Sequence, residues 1–150
     1  MEKQIIDDKI KELFISSRVI ALVGASNNKE KDSNKVMKFL QRAGYKVIPV
    51  NPSARGERIL GEEVFEKLED IKTFIDIVDV FRPSAEALKY AKISVKIGAK
   101  VLWLQLGIKN EAAKELVESN NIEYIENRCT KMEYQKAFLK INPAFPVLQD

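Results

Sequence analysis

Histidine is absent from the chain and cysteine occurs once. Without histidine there is no Ser-His-Asp or Cys-His nucleophilic arrangement, and the commonest general base and metal ligand are both missing. A zinc site would have to combine Cys129 with carboxylates, a poor match to the usual donor sets, so no metal is expected. A lone cysteine has no internal disulfide partner, which fits a cytoplasmic protein. No apolar run approaches the roughly 20 residues needed to span a bilayer. The N-terminal Met1-Glu2-Lys3-Gln4, followed by Asp7-Asp8, lacks the apolar core of a signal peptide, so no membrane partner is expected. Charge of either sign is not in large excess: 25 Lys and Arg face 22 Asp and Glu, a net +3. That is too small to argue for nucleic acid, and the lysines are scattered as on solvated helix faces. Glycine is scarce, at six.

What is present is a globular composition, with 45% hydrophobic and 31% charged residues over 150 positions. This fits one domain, 1–150, with a substantial core. Ile5, Ile6, Ile10, Leu13 and Phe14 recur at helical spacing over 4–15. The apolar run 19–23 marks a buried strand, 18–23, that ends at Gly24. A helix begins near Ser33, read as its N-cap, and stops at Gly44. A second strand covers 45–50, a loop 51–56, and one or two helical turns 62–68. The third strand is 74–81. Pro83 opens a helix that reaches Gly98, and a fourth strand covers 100–106. Asn110 caps a helix to about 119, a short fifth strand covers 122–125, and a last helix covers 131–140. The tail from Asn142 reads as irregular, with Phe145, Val147 and Leu148 available to dock it.

Strands alternating with helices predict an α/β fold: a doubly wound, parallel, five-stranded sheet with helices on both faces. The order 3-2-1-4-5 is expected, which puts a ligand beyond the carboxyl ends of the strands, beside strand one. There a glycine turn followed by a helix start suits a phosphate. Only Gly24 of the G-x-G-x-x-G fingerprint is present, since Ser26 and Lys29 stand at the other two places. Five segments should meet at this edge: Gly24-Ala25-Ser26, Asn51-Pro52 with Arg55, Val80-Phe81-Arg82, Gln105-Leu106-Gly107 and Asn127-Arg128-Cys129. Three arginines favour a ligand with several phosphates over a neutral metabolite. The end of strand two, Pro49-Val50-Asn51-Pro52, lacks the acidic residue an NAD ribose wants. With Arg55 close behind, the sequence favours a ligand with an extra ribose phosphate, either NADP or coenzyme A.

These motifs also carry a family resemblance. Val23-Gly24-Ala25-Ser26, Ser33, Gly44-Tyr45-Lys46-Val47, Pro49-Val50-Asn51-Pro52, Gly61, Val78-Asp79-Val80-Phe81-Arg82, Gly98-Ala99-Lys100, Trp103-Leu104-Gln105-Leu106-Gly107 and Arg128-Cys129 resemble the small, single-domain CoA-binding proteins. Those are similar to the nucleotide-binding domain of the succinyl-CoA synthetase alpha subunit. The resemblance covers about 15–138. It implies a Rossmann-like domain holding coenzyme A, with Gly24, Ala25 and Ser26 at the pyrophosphate. Asn51, Pro52 and Arg55 would lie toward the adenosine 3′-phosphate, and Val80, Phe81 and Arg82 would line the other side. The family commonly has Asp before Arg-Cys, where this chain has Asn127. The synthetase's catalytic histidine has no counterpart, so synthetase chemistry is not carried over.

Each residue also has a plain structural reading. Ser26 serves as a turn former or a phosphate-loop hydroxyl, and Ser33 as a cap or a phosphate contact. Arg55 also has a reading as a solvated loop residue, and Arg82 as a partner in an ion pair with a neighbouring helix. Phe81 stacks on adenine or closes the core. Gln105 stands near the edge, whereas Trp103 belongs to the core. Asp76 and Asp79 fall on opposite strand faces and form no catalytic pair. Cys129 beside Arg128 would be an activated thiol able to pair with that of CoA, or a small buried apolar residue. The expected function is binding of CoA or an acyl-CoA without catalysis. The alternatives are an NADP-dependent oxidoreductase, a regulatory interaction module and a thiol-redox sensor. A homo-oligomer or a partner enzyme stays open.

Overall fold

Successive side chains of a strand point to opposite faces, and here both faces are covered. Ile20 and Leu22, with Ile77, Val101 and Trp103, face one core, which Ile10, Leu13, Phe14, Val36, Met37 and Leu40 complete. Ala21 and Val23, with Val78, Val80, Leu102 and Leu104, face the other, completed by Ala87, Tyr90, Ala91, Ala113 and Val117. This is why the strands read as continuous apolar runs rather than alternating ones.

The computed structural model describes residues 2–54 and 56–140. In chain order the elements are α1 (Glu2–Ile15), β1 (Val19–Val23), α2 (Asp32–Arg42), β2 (Lys46–Val50), β3 (Arg58–Ile59), β4 (Glu62–Glu63), β5 (Ile77–Val80), α3 (Ala87–Ile97), β6 (Val101–Leu104), α4 (Glu111–Glu118), β7 (Glu123–Ile125) and α5 (Thr130–Phe138). Helices α1, α2 and α5 cover the first face, α3 and α4 the second. No helix among the described residues is long and apolar enough to cross a membrane. Arg55 and the tail with Phe145, Val147 and Leu148 lie outside the described residues.

Local signals hold at several element ends. Asn110 Oδ1 accepts the Ala113 N–H at 2.9 Å and caps α4. Gly98 closes α3 with φ +71°. Ser33 does not cap α2: Lys31 is the N-cap, and Ser33 sits inside the first turn. The turns expected at 62–68 are instead β4, a bridge at Phe65 and a 3-10 turn, Leu68–Asp70.

The sheet is five-stranded, all-parallel and Rossmann-like, in the order β2-β1-β5-β6-β7. Counting sheet strands alone, that is 2-1-3-4-5. The third therefore lies against β1 on the side away from β2, whereas 3-2-1-4-5 would have put it beyond β2. Two contacts account for this. Phe65 occupies the outer edge of β2, its N–H donating to the Pro49 carbonyl and its own carbonyl accepting the Asn51 N–H, both at 2.9 Å. Asp76 Oδ2 accepts the N–H groups of Arg18 and Val19, at 2.9 and 3.0 Å, and holds the start of β5 beside β1. Pro49 turns its nitrogen toward that same outer edge, where a missing N–H breaks no main-sheet pairing.

Candidate ligand crevice

In a 2-1-3-4-5 sheet the chain reverses direction between the first and third strands, and a crevice opens above their carboxyl ends. A crevice of about 520 Å³ lies there, lined by Gly24, Ala25, Ser26, Lys31, Asp32, Ser33, Asn51, Pro52, Ser53, Phe81, Arg82, Glu86, Lys89 and Tyr90. The size is in the range of cofactor pockets, about 300–1,000 Å³.

Gly24 makes this closeness possible. Its φ is +89°, and a Cβ there would stand 2.8 Å from the Phe81 carbonyl oxygen and 3.2 Å from Arg82 Cδ. Only glycine lets the β1 loop pass so near the end of β5. The Gly24 and Ala25 amides both donate to the Val50 carbonyl, at 3.0 and 3.3 Å. They shape the loop and are not free donors for an anion. Asn51 ties the same corner together, its Nδ2 donating to the Ala25 carbonyl at 2.7 Å while its Oδ1 accepts Ser53 N–H at 2.8 Å. Ser26 Oγ accepts Asn28 N–H at 3.0 Å, a turn-forming role that leaves its hydroxyl proton available.

The donors face the crevice from α2. The first amides of a helix have no intrahelical partner, and Lys31 supplies no side-chain cap. The amide-rich end at Asp32 and Ser33 therefore opens into the crevice with the positive end of the helix dipole. Lys31, Arg82 and Lys89 add positive charge, against Asp32 and Glu86. Arg82 makes a forked pair with Glu86, Nη2–Oε2 2.7 Å and Nε–Oε1 3.1 Å, which holds the Glu86 carboxyl below its usual range.

The structure divides the expected site. Gly24, Ala25, Ser26, Ser33, Asn51, Pro52, Phe81 and Arg82 come together. Val80 is buried beneath, in the core facing α3. Arg128 and Cys129 do not reach the crevice. With Leu106 and Asn127 they border a second cleft of about 550 Å³ on the β7 side, because β6 and β7 follow β5 outward. Arg128 pairs with Glu133 at 3.3 Å. Asn127, at φ +55°, accepts Gly107 N–H at 2.7 Å and ties two loops. Glu86, Lys89 and Tyr90 were missed by the sequence reading. The helical spacing 82, 86, 89, 90 would have pointed to them.

Gln105 is buried and serves a different purpose. Its Nε2 donates to Asp79 Oδ1 at 2.6 Å and to Thr130 Oγ1 at 3.0 Å, and Thr130 Oγ1 donates to Asp79 Oδ2 at 2.9 Å. Asp79 is 0% exposed. Burial pushes its carboxyl up to about 7, only partly offset by these two hydrogen bonds. The visible signal was one carboxylate inside an otherwise apolar strand.

Cys129 is 1% exposed. Burial pushes its thiol up to about 12, against hydrogen bonding from the Met132 and Lys131 amides. The activated thiol beside Arg128 is thus corrected: the guanidinium is engaged with Glu133, and the sulfur lies in the core. Native protein at about pH 8 is expected to resist iodoacetamide, and urea-unfolded protein to react fully, with mass spectrometry counting the adducts. Rapid alkylation of the native state would contradict this burial.

Fold and crevice define a doubly wound α/β protein with a polar crevice at the sheet's reversal point. The chain belongs to the CoA binding domain family, whose model matches residues 18–135. It is 36% identical over 126 residues to the Bacillus subtilis protein YneT, covering 84% of this chain and 92% of that one. Among solved structures, a Pyrococcus horikoshii OT3 protein is 36% identical with TM-score 0.83, covering 87% of this chain and 91% of that one. A Thermus thermophilus protein is 30% identical with TM-score 0.84, covering 88% and 98%.

Proposed function

We propose that this crevice binds coenzyme A or an acyl-CoA, without catalysis by the chain itself, in a cytoplasmic setting. The observation that carries the reading is the close pass of Gly24 by Phe81 beneath the open start of α2. A side chain at position 24 would meet the Phe81 carbonyl and force the loop off the end of β5, spoiling the floor on which a diphosphate would rest. The Asp32 and Ser33 amides, with the hydroxyls of Ser26 and Ser33, would hold the diphosphate. Arg82 and Lys89 would balance its charge. Asn51, Pro52 and, from the sequence, Arg55 would stand toward the adenosine 3′-phosphate. Bound CoA supplies an acyl-carrying thiol; this chain's part is to hold and orient the phosphates.

Calorimetric titration with CoA, dephospho-CoA and NADP tests the reading. CoA is expected to bind at least about tenfold tighter than dephospho-CoA, the worth of one charge-assisted hydrogen bond. Equal affinity would remove the Arg55 role. Tighter NADP binding would favour an oxidoreductase, and no binding at millimolar nucleotide would favour an interaction module. Native mass spectrometry of the purified protein is expected to show a CoA mass increment.

A further inference from the structure

Arg82 stands over the crevice with the Nε–Nη2 edge of its guanidinium already taken. Its Cδ lies 3.2 Å from where a Gly24 Cβ would be, so the stem rests on the phosphate loop. Its fork is closed by Glu86, one turn ahead, through two hydrogen bonds. Both residues border the crevice, and the pair is exposed.

A carboxylate offers two oxygens in one plane, the same arrangement that a phosphate presents to an arginine fork. Glu86 therefore occupies one edge of the fork that an incoming phosphate would take, and sets a negative charge beside it. An exposed pair of this kind contributes little to stability, so it can be exchanged at small cost. A neutral or singly charged ligand gains too little to open it, whereas a diphosphate brings enough charge to displace the carboxylate.

We propose that Glu86 acts as an internal competitor for Arg82, a clasp that sets the affinity and the charge selectivity of the crevice. This rests on the anion-binding reading above and adds a specificity-determining residue to it. Opening the clasp releases the guanidinium toward the phosphates and leaves Glu86 in solvent. The pair is exchanged, with no covalent change.

The test titrates the wild type, Glu86→Gln, Arg82→Gln and the double variant with CoA and, separately, with inorganic diphosphate. Glu115→Gln, an equal charge change on an exposed position of α4, controls for net charge. Glu86→Gln is expected to bind both probes about fivefold tighter, the worth of one exposed ion pair. The gain should vanish in the Arg82→Gln background, since there is then no fork to free. In the wild type, the Arg82 Nε–Hε NMR signal should shift as either probe is added. Unchanged or weaker binding by Glu86→Gln would overturn the clasp. So would a gain that survives without Arg82 or that matches Glu115→Gln. If diphosphate follows the expected pattern and CoA binds none of the variants, the clasp stands and the CoA reading falls. If CoA binds every variant equally, the CoA reading stands and the clasp falls. If neither probe binds any variant, both fall.

Discussion

Replacing Gly24 by alanine is expected to destabilise the protein by about 2–5 kcal/mol and to abolish measurable CoA binding. Two costs add. A side chain at φ +89° meets left-handed strain of about 1–2 kcal/mol. The new Cβ would also sit 2.8 Å from the Phe81 carbonyl oxygen, and relieving such overpacking costs roughly another 1–3 kcal/mol. The backbone at that oxygen cannot yield freely, because Phe81 N–H donates to the Val23 carbonyl at 2.8 Å. The loop must therefore move away from β5, which widens the floor of the crevice. Gly61→Ala is the control. Its φ is +85°, and nothing lies within 4 Å of an added Cβ, so only strain of about 1–2 kcal/mol applies. Urea unfolding followed by fluorescence of the single tryptophan, Trp103, reports both. Equal losses at the two glycines would mean that the approach to Phe81 has no energetic weight.

Asp79→Asn is expected to make the protein more stable at alkaline pH. The carboxyl is held near 7, against 3.8 as its ordinary value. Between these values the folded state keeps a proton that the unfolded state has released, so stability falls as pH rises. The favourable contribution is complete below the unfolded value and is lost as pH passes through about 7. A shift of this size amounts to about 4 kcal/mol at most. Asparagine keeps the shape and the acceptor for Gln105 without ever ionising. At about pH 8.5 the variant should exceed the wild type by up to a few kcal/mol, and at about pH 4 the two should converge. Urea titrations across pH would show this as a steep wild-type profile and a flatter variant one. A wild-type profile with no fall between those limits would show that Asp79 ionises as easily as a surface carboxylate. The buried location argues against that, since its hydrogen-bond partners Gln105 and Thr130 are neutral side chains.

Both expectations depend on neighbours that are remote in sequence, which bears on how much could be read beforehand. The helices and strands were legible because their signals are local. Continuous apolar runs at 19–23 and 101–104 marked two strands, helical spacing marked α1, and Asn110 and Gly98 announced their helix ends through capping chemistry. The loop Gly24-Ala25-Ser26 was recognisable because a glycine after a buried strand is a local pattern too. Ser33 misled because serine is an excellent cap when it stands at the boundary, and here the cap position is two residues earlier, at Lys31, with no side-chain cap.

Strand pairing was not local. Two parallel strands pair through backbone groups that every residue carries, so composition does not say which strand lies beside β1. Asp76 across the start of β1 and Phe65 on the outer edge of β2 settled it. That single choice brought Phe81 and Arg82 to Gly24 and sent Arg128 and Cys129 to another cleft. It also gathered Asp79, Gln105 and Thr130, which are 26 and 51 positions apart from Asp79. What the residues alone determined was a layered α/β chain with a glycine turn after its first strand, because periodicity and turn chemistry act over a few positions. Which side chains share a pocket, and which carboxylate is stripped of water, was decided only when the strands took their places, since burial and long-range pairing are properties of the assembled sheet.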